Sequence, residues 1–182
     1  YVPRQVIDRL HDFFRFTKVQ PYGPFKSSIK AGEEMESAYG AVAGLLNCHP
    51  DALTLGPSTT MNFYVLAQAI RPLINPGDEI VVTNQDHEAN IGAWRRLETA
   101  GITVREWRVD PASAELRIED LESLLNERSK AVAFTHCSNI VASINPVREI
   151  SELVHAAGAL AIVDGVSFAP HGLPDIPVLG AD

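Results

Sequence analysis

Four short polar segments of the chain contain the residue types that bind anions, move protons or hold a cationic ring. They are Gly56-Pro57-Ser58-Thr59-Thr60, Asp86-His87-Glu88-Ala89-Asn90, His136-Cys137-Ser138-Asn139 and Asp164-Gly165-Val166-Ser167. Hydroxyls at a helix start suit an anion, and a histidine can transfer protons or stack on a flat ligand. A buried carboxylate needs a hydrogen-bond donor or a cation. Together these groups indicate one ligand site, provided that the fold brings the segments together.

The first segment places a turn and the hydroxyls of Ser58, Thr59 and Thr60 at the start of a predicted helix. The unpaired N–H groups and the dipole of such a helix end favour a phosphate group. Simple capping by serine or threonine explains the same pattern. No Gly-Lys-Ser/Thr sequence is present, and no Gly-x-Gly-x-x-Gly sequence follows a predicted strand, which disfavours a P-loop or dinucleotide site.

His87 and Asp164 are the two titratable candidates at predicted strand ends. His87 could act as an acid or base, stack on a flat ligand or bind a metal, and a capping or surface histidine is the simpler alternative. Asp164 ends the most apolar predicted strand, so it could hold a metal, cap a helix or pair with a protonated ring nitrogen. No spacing typical of metal ligands occurs, and we predict no metal site.

The overall composition excludes several classes of partner. The chain has 182 residues, with 15 basic and 23 acidic side chains and a net charge of −8, and it contains no basic run. This argues against nucleic acid or an anionic membrane as the main partner. No apolar stretch approaches the roughly 20 residues of a membrane helix. Cys48 and Cys137 are interpreted as structural, and such sparse cysteine use without a secretory signal favours a cytoplasmic setting.

From residue 52 onward, short apolar runs alternate with helical patterns. Strands are predicted at 53–55, 79–83, 103–109, 131–135 and 159–163, and helices at 60–70, 88–100, 118–125 and 147–157. This alternation predicts an α/β fold, a three-layer α/β/α sandwich with a mostly parallel sheet. Ligands of such sheets bind at the carboxyl ends of the strands. The four polar segments are therefore expected to meet at one edge.

The first 50 residues are predicted to form helices and a loop that lead into the sheet domain of residues 51–182. A helix is predicted from Pro3 to Phe14, a loop over residues 17–28 and a second helix over residues 30–46. The acidic cluster Glu33, Glu34 and Glu36 is predicted in the first turns of that second helix, where negative charge complements the helix dipole.

Taken in order, the four segments resemble those of the fold-type I pyridoxal phosphate enzymes of the aminotransferase class V family, especially the cysteine desulfurase-like branch. The resemblance extends from Val2-Pro3-Arg4-Gln5-Val6-Ile7 through Pro76-Gly77-Asp78-Glu79-Ile80-Val81-Val82 to Asp164-Gly165-Val166-Ser167-Phe168-Ala169-Pro170-His171. It implies that residues 51–182 are part of the cofactor-binding large domain. It also implies that the C-terminal small domain is absent, so we expect the chain to be a fragment.

The resemblance implies that pyridoxal 5′-phosphate is the cofactor, and it assigns roles to matching positions. Ser58, Thr59 and Thr60 match the loop that holds the cofactor phosphate. His87 matches the histidine that stacks on the pyridine ring and assists proton transfer. Asp164 matches the aspartate that pairs with the pyridine nitrogen, so that the ring can accept electrons.

Two further positions match residues near the cofactor's ring oxygen. Asn139 matches an asparagine of the family, whereas Ser167 stands where the family commonly has glutamine or histidine. Serine is shorter, so a contact between Ser167 and the ring oxygen would need a bridging water.

The Schiff-base lysine that the resemblance implies is not in this chain. The lysines are Lys18, Lys26, Lys30 and Lys130. Lys130 precedes a predicted strand, at the end of the sheet opposite the site, and the others belong to the N-terminal loop and helix. In the family the lysine follows the next strand, so these residues alone are expected to be inactive.

The resemblance implies an intact enzyme that acts on a small-molecule amino acid through an external aldimine. Cysteine desulfurase or selenocysteine lyase-like chemistry and class V transamination are the expected reactions. A homodimer and a sulfur-acceptor protein are the expected assemblies. The alternative is a homologue or scaffold that binds the cofactor without catalysis, and the departure at Ser167 is the feature that favours it.

Overall fold

A computed structural model describes residues 1–182, and they divide into two units. The first consists of Tyr1–Leu45 and His49–Leu53, and the second of Leu46–Cys48 and Thr54–Asp182. The first unit contains helix α1 (Arg4–Asp12) and all but the last residue of helix α2 (Lys26–Leu46), and a π-helical turn over Phe13–Thr17 and a short loop separate the two helices. No helix of the chain combines the length and the hydrophobicity needed to cross a membrane.

Four parallel strands form the sheet of the second unit. They are β1 (Glu79–Thr83), β2 (Thr103–Trp107), β3 (Ser129–Thr135) and β4 (Leu160–Asp164), in the order β2-β1-β3-β4. Thr135 at the end of β3 lies opposite Asp164 at the end of β4. The strand order reverses direction between β1 and β3, and a parallel sheet has its ligand crevice at such a point, outside the carboxyl ends of the strands.

Helices cover both faces of this sheet, and the predicted three-layer α/β/α fold is confirmed. The helices are α3 (Thr59–Ile70), α4 (Glu88–Arg95), α5 (Ile118–Leu124), α6 (Val147–Ala156) and the short α7 (Ile176–Leu179). Successive residues of a strand face opposite sides of a sheet. Accordingly, Ile80 and Val82 pack with Trp94 of α4 in one core, whereas Val81 packs with Ile150 of α6 in the other.

The predicted strand at 53–55 is wrong. These residues pair with no strand, and the side chain of Leu55 is 48% exposed. A strand needs hydrogen-bonding neighbours, which a short apolar run does not itself provide. The strand predicted over residues 103–109 ends at Trp107, because Val109 turns away to form an antiparallel bridge with Leu116.

The start of α2 also differs from its prediction. The helix begins at Lys26, because the Phe25 carbonyl already accepts the N–H of Ile29 and closes the first turn. The acidic cluster therefore lies in the middle of α2 and not at its start, so its charge does not complement the N-terminal dipole. Glu34 instead forms an ion pair with Arg9 of α1.

Candidate functional site

A cavity of about 350 Å³ opens at the carboxyl edge of the sheet. Every site residue named from the sequence lines it, and the full lining is Ser58, Thr59, Thr60, His87, Ala89, Thr135, Asn139, Asp164, Val166 and Ser167. This volume suits a small organic ligand. The fold thus brings the four polar segments together around one space.

The start of α3 supplies a capped helix end to this cavity. Ser58 has an extended backbone, and its Oγ accepts the N–H of Met61 at 3.2 Å. A Cβ atom on Gly56 would lie 1.7 Å from Asn62 Oδ1, so any larger residue at this turn would force the Asn62 side chain to move. Ser58 is therefore a helix cap, as the simpler interpretation held. The first N–H groups of the helix have no intrahelical partner and remain suited to an anion.

His87 is the N-cap residue of α4, and its ring is exposed at the cavity. Its Nδ1 atom accepts the N–H of Ala89 at 3.0 Å. A neutral imidazole that accepts at Nδ1 carries its proton at Nε2. The cap thus selects the tautomer and leaves both the ring face and the Nε2 proton available to a ligand.

Asp164 is a buried carboxylate at the end of β4, with 6% of its surface exposed. Its Oδ1 atom accepts the N–H of Val166 at 2.9 Å, and its other oxygen has no partner within the chain. No cation pairs with it. A buried carboxylate with an unused oxygen is a strong acceptor for a cationic donor.

Asn139 and Ser167 enter the cavity from two different loops. The loop that carries Asn139 is tied to the β1 side by an amide pair, in which Asn145 Nδ2 donates to Gln85 Oε1 at 2.8 Å and to the Thr135 carbonyl at 2.7 Å. The hydroxyl of Ser167 has no hydrogen-bond partner within the chain, so it is available to a ligand or a water.

A second carboxylate, which the sequence reasoning missed, lies beside the site. Asp86 accepts hydrogen bonds from the Thr83 hydroxyl and, at 2.9 Å, from Asn90 Nδ2. Its burial, with a smaller contribution from the charge of Asp164, raises its pKa to about 6. The available signal was its place directly before His87, after a buried strand.

An aromatic stack, also missed, fastens the loop that follows β4. The rings of His136 and Phe168 are stacked with centroids 3.6 Å apart. The Nδ1 atom of His136 is buried without a partner, and burial lowers the pKa of this histidine. Because Phe168 follows Ser167 directly, the stack holds the segment between Asp164 and Phe168 against the end of β3.

The lysines and cysteines contribute nothing to the cavity lining. Lys130 is the second residue of β3 and not, as predicted, a residue before the strand, but it does lie at the amino end of the sheet. Its Nζ atom donates to the Glu127 carbonyl at 3.0 Å.

Cys48 and Cys137 are half-buried free thiols. Three or more metal-ligating side chains do not cluster anywhere in the chain.

Comparison with known proteins relates the chain to one family. All of residues 1–182 match the family model for aminotransferase class V. The aminotransferase-like protein FGM3 of Gibberella zeae is 38% identical over 100% of this chain and 45% of its own length. A probable cysteine desulfurase of Halalkalibacterium halodurans is 32% identical over 99% of this chain and 45% of its own length. The chain therefore spans about 45% of the length of these relatives.

The cysteine desulfurase CsdA of Escherichia coli, solved by crystallography, has a similar fold. It superimposes with a TM-score of 0.86 and 26% sequence identity, over 99% of this chain and 46% of that protein.

Proposed function

Because this chain belongs to the aminotransferase class V family, we propose that it forms the cofactor-binding part of an enzyme that acts on an amino acid. Pyridoxal 5′-phosphate is the cofactor of this family. Cysteine desulfurase or selenocysteine lyase-like chemistry is the reaction we favour, with class V transamination as the alternative. One observation carries the proposal: a buried, cation-free carboxylate, a helix start and an exposed imidazole share one cavity.

The donor set around the cavity matches the chemical groups of this cofactor. We assign the phosphate to Ser58, Thr59 and Thr60 at the start of α3, and the ring nitrogen to the unused oxygen of Asp164. The flat ring suits the exposed face of His87. When bound, the cofactor supplies a ring that withdraws electrons from the carbon bearing the substrate amine.

Asn139 and Ser167 complete the assignment, as ligands of the ring oxygen. The free hydroxyl of Ser167 supports this role, directly or through a water. Nothing in the comparisons supports the inactive homologue, and the departure at Ser167 leaves a polar group in the cavity.

Two side chains of this chain would handle charge and protons. Asp164 would hold the proton on the ring nitrogen of the bound cofactor through its negative charge, and the Val166 N–H fixes the orientation of the carboxylate. His87 would present its ring face to the cofactor, and its Nε2 proton would be the one available for exchange with substrate, because Nδ1 accepts the Ala89 N–H.

The remaining parts of the enzyme would come from outside these residues. We assign residues 1–50 to the N-terminal lead and 51–182 to part of the large domain. We place the Schiff-base lysine and the small domain in the rest of the protein, and two facts support this: no lysine lines the cavity, and the chain covers 45% of its relatives. A cytoplasmic homodimer with a sulfur-acceptor protein completes the proposal.

Borohydride reduction of the intact protein with pyridoxal 5′-phosphate tests the function. We expect one pyridoxyl-lysine, mapped by mass spectrometry, outside residues 1–182. Lys130→Arg is the matched control and should keep the label, because Lys130 lies at the opposite end of the sheet. No label, and no colour on adding the cofactor, would overturn the proposal.

The products from cysteine distinguish the two reactions. Alanine with a sulfur product indicates desulfuration, whereas conversion of an added keto acid to an amino acid indicates transamination. Both products are measured in one incubation with the same protein preparation, taken before borohydride reduction.

A further inference from the structure

Two carboxylates lie at the same edge of the sheet, and neither forms an ion pair. Asp164 ends β4, and Asp86 follows β1 on the turn that carries His87. The groups that hydrogen-bond Asp86 are neutral, namely the Thr83 hydroxyl and the Asn90 amide. Burial and the negative charge of Asp164 together raise the pKa of Asp86 to about 6. The site therefore concentrates negative charge without any internal cation.

The carboxylate of Asp86 is held rigidly. Thr83 donates to one of its oxygens and Asn90 to the other, and Asn90 in turn accepts from Trp94 Nε1 at 3.0 Å. Thr83, Asn90 and Trp94 are all 0% exposed. Asp86 does not itself line the cavity. Its negative charge thus has a defined place just behind the wall of the site.

We propose that Asp86 is a positioning residue of this site, which fastens the His87 turn and acts with Asp164 to favour a cationic ring nitrogen in the cavity. The inference rests on the proposed function, since it takes the pyridine nitrogen of the cofactor as the cation. A cation bound at Asp164 offsets the repulsion between the two carboxylates. By linkage, an ionised Asp86 strengthens cofactor binding as much as the bound cofactor favours ionisation of Asp86.

The groups packed around Asp86 include few that can themselves gain or lose a proton. Asp164 is the charged group that acts on it from β4, while β1 and α4 contribute neutral Thr83 and Asn90. The end of β3 contributes the backbone of Thr135. The nearby histidines are His87 on the same turn and His136, whose pKa is lowered by burial.

The test compares the affinity of the intact enzyme and its Asp86→Asn variant for pyridoxal 5′-phosphate between pH 5 and pH 8. Asparagine can accept from Asn90 and donate to Thr83, so the variant removes the charge and keeps the contacts. We expect Kd to rise at least about fivefold at pH 8. At pH 5 the Kd values should agree within about twofold, because wild-type Asp86, with a pKa of about 6, is then mostly protonated.

Proton release gives a second readout that does not depend on turnover. Near pH 6, calorimetry in buffers of different ionisation enthalpy should show wild type releasing up to about half a proton more than Asp86→Asn on cofactor binding. Asp110→Asn is the control, since Asp110 follows β2, caps a turn and does not line the cavity. It should match wild type in both measurements.

The outcomes separate the two proposals. A Kd ratio that is the same at pH 5 and pH 8, or equal proton release, would show a purely structural role and overturn the assignment of Asp86 alone. Failure of every protein, wild type included, to bind the cofactor would overturn the proposed function and this inference with it.

Discussion

The buried carboxylates at the two edges of the sheet differ in their partners and in the direction of their pKa shifts. At the amino edge, Glu79 accepts from Asn126 Nδ2 at 2.9 Å and pairs with Arg105 at 3.2 Å and Arg128 at 2.7 Å. The Asn126 hydrogen bond and the two guanidinium groups hold the pKa of Glu79 below its usual value. At the carboxyl edge, Asp86 and Asp164 have neutral donors only, and the pKa of Asp86 is raised.

The difference is whether the chain itself supplies a cation to the buried carboxylate. Glu79 is stabilised in its charged form by its own chain, and it links the start of β1 to β2 and to the loop before β3. The carboxylates of the other edge lack such partners, which is costly for the folded chain without a ligand. Residues that bind or react are commonly found where the fold tolerates this cost.

The largest expected effect is a loss of cofactor affinity from a substitution at the carboxyl edge of the sheet. Replacing Asp164 with Asn removes the buried negative charge that we assign to the ring nitrogen, while the Val166 N–H keeps an acceptor. We expect the affinity for pyridoxal 5′-phosphate to fall by roughly 100-fold, equivalent to about 2.7 kcal/mol. Absorption titration of the intact protein measures it. An unchanged Kd would contradict the assignment of Asp164.

Breaking the amino edge should act on stability and leave the site alone. Glu79→Gln leaves Arg105 and Arg128 without their carboxylate, and we expect a loss of about 2 kcal/mol in the free energy of unfolding. Denaturant unfolding measures it, with cofactor affinity as the control. Because the folded pKa of Glu79 lies below 4.5, the wild-type advantage is complete above pH 4.5 and disappears as pH falls through the folded value.

Removing the charge of Asp86 should raise the stability of the protein, whereas removing the charge of Glu79 should lower it. Its pKa rises from 3.8 to about 6 on folding, so the folded state binds more protons and wild-type stability falls as pH rises between these values. At pH 7 we therefore expect Asp86→Asn to stabilise the cofactor-free protein by about 1–3 kcal/mol. Below pH 4 the two proteins should unfold alike. If this variant is less stable than wild type at pH 7, the two edges do not differ in the way described, because the charge of Asp86 would then stabilise the folded state as that of Glu79 does.

The smallest expected effect concerns the aromatic stack at the carboxyl edge. Phe168→Leu removes the ring that lies on His136 and should cost about 1 kcal/mol of stability. A few-fold loss of cofactor affinity should accompany it, since the stack holds the loop between Asp164 and Ser167. Arg148→Ala, which removes an exposed ion pair with Glu152, is the surface control and should change stability by less than about 0.5 kcal/mol.

Much of the site was predictable because its parts are local. Ser58 and His87 follow from the chemistry of helix starts, and both prove to be caps as well as residues of the cavity. Helix capping and ligand binding are compatible roles for these residues, since a cap uses only one acceptor atom of the side chain. Asp86 was passed over because its properties come from burial and from Asp164, which is distant in sequence.

The sequence by itself determined the α/β class, the positions of most strands and helices, and the residues that follow the strand ends. These depend on hydrophobic periodicity and capping, which act over a few neighbouring residues. Only the tertiary structure decided that residues 53–55 remain unpaired, that His136 stacks on Phe168 and that Glu79 and Asp86 have opposite pKa shifts. Pairing, stacking and desolvation depend on groups from distant parts of the chain, and folding alone brings those groups into contact.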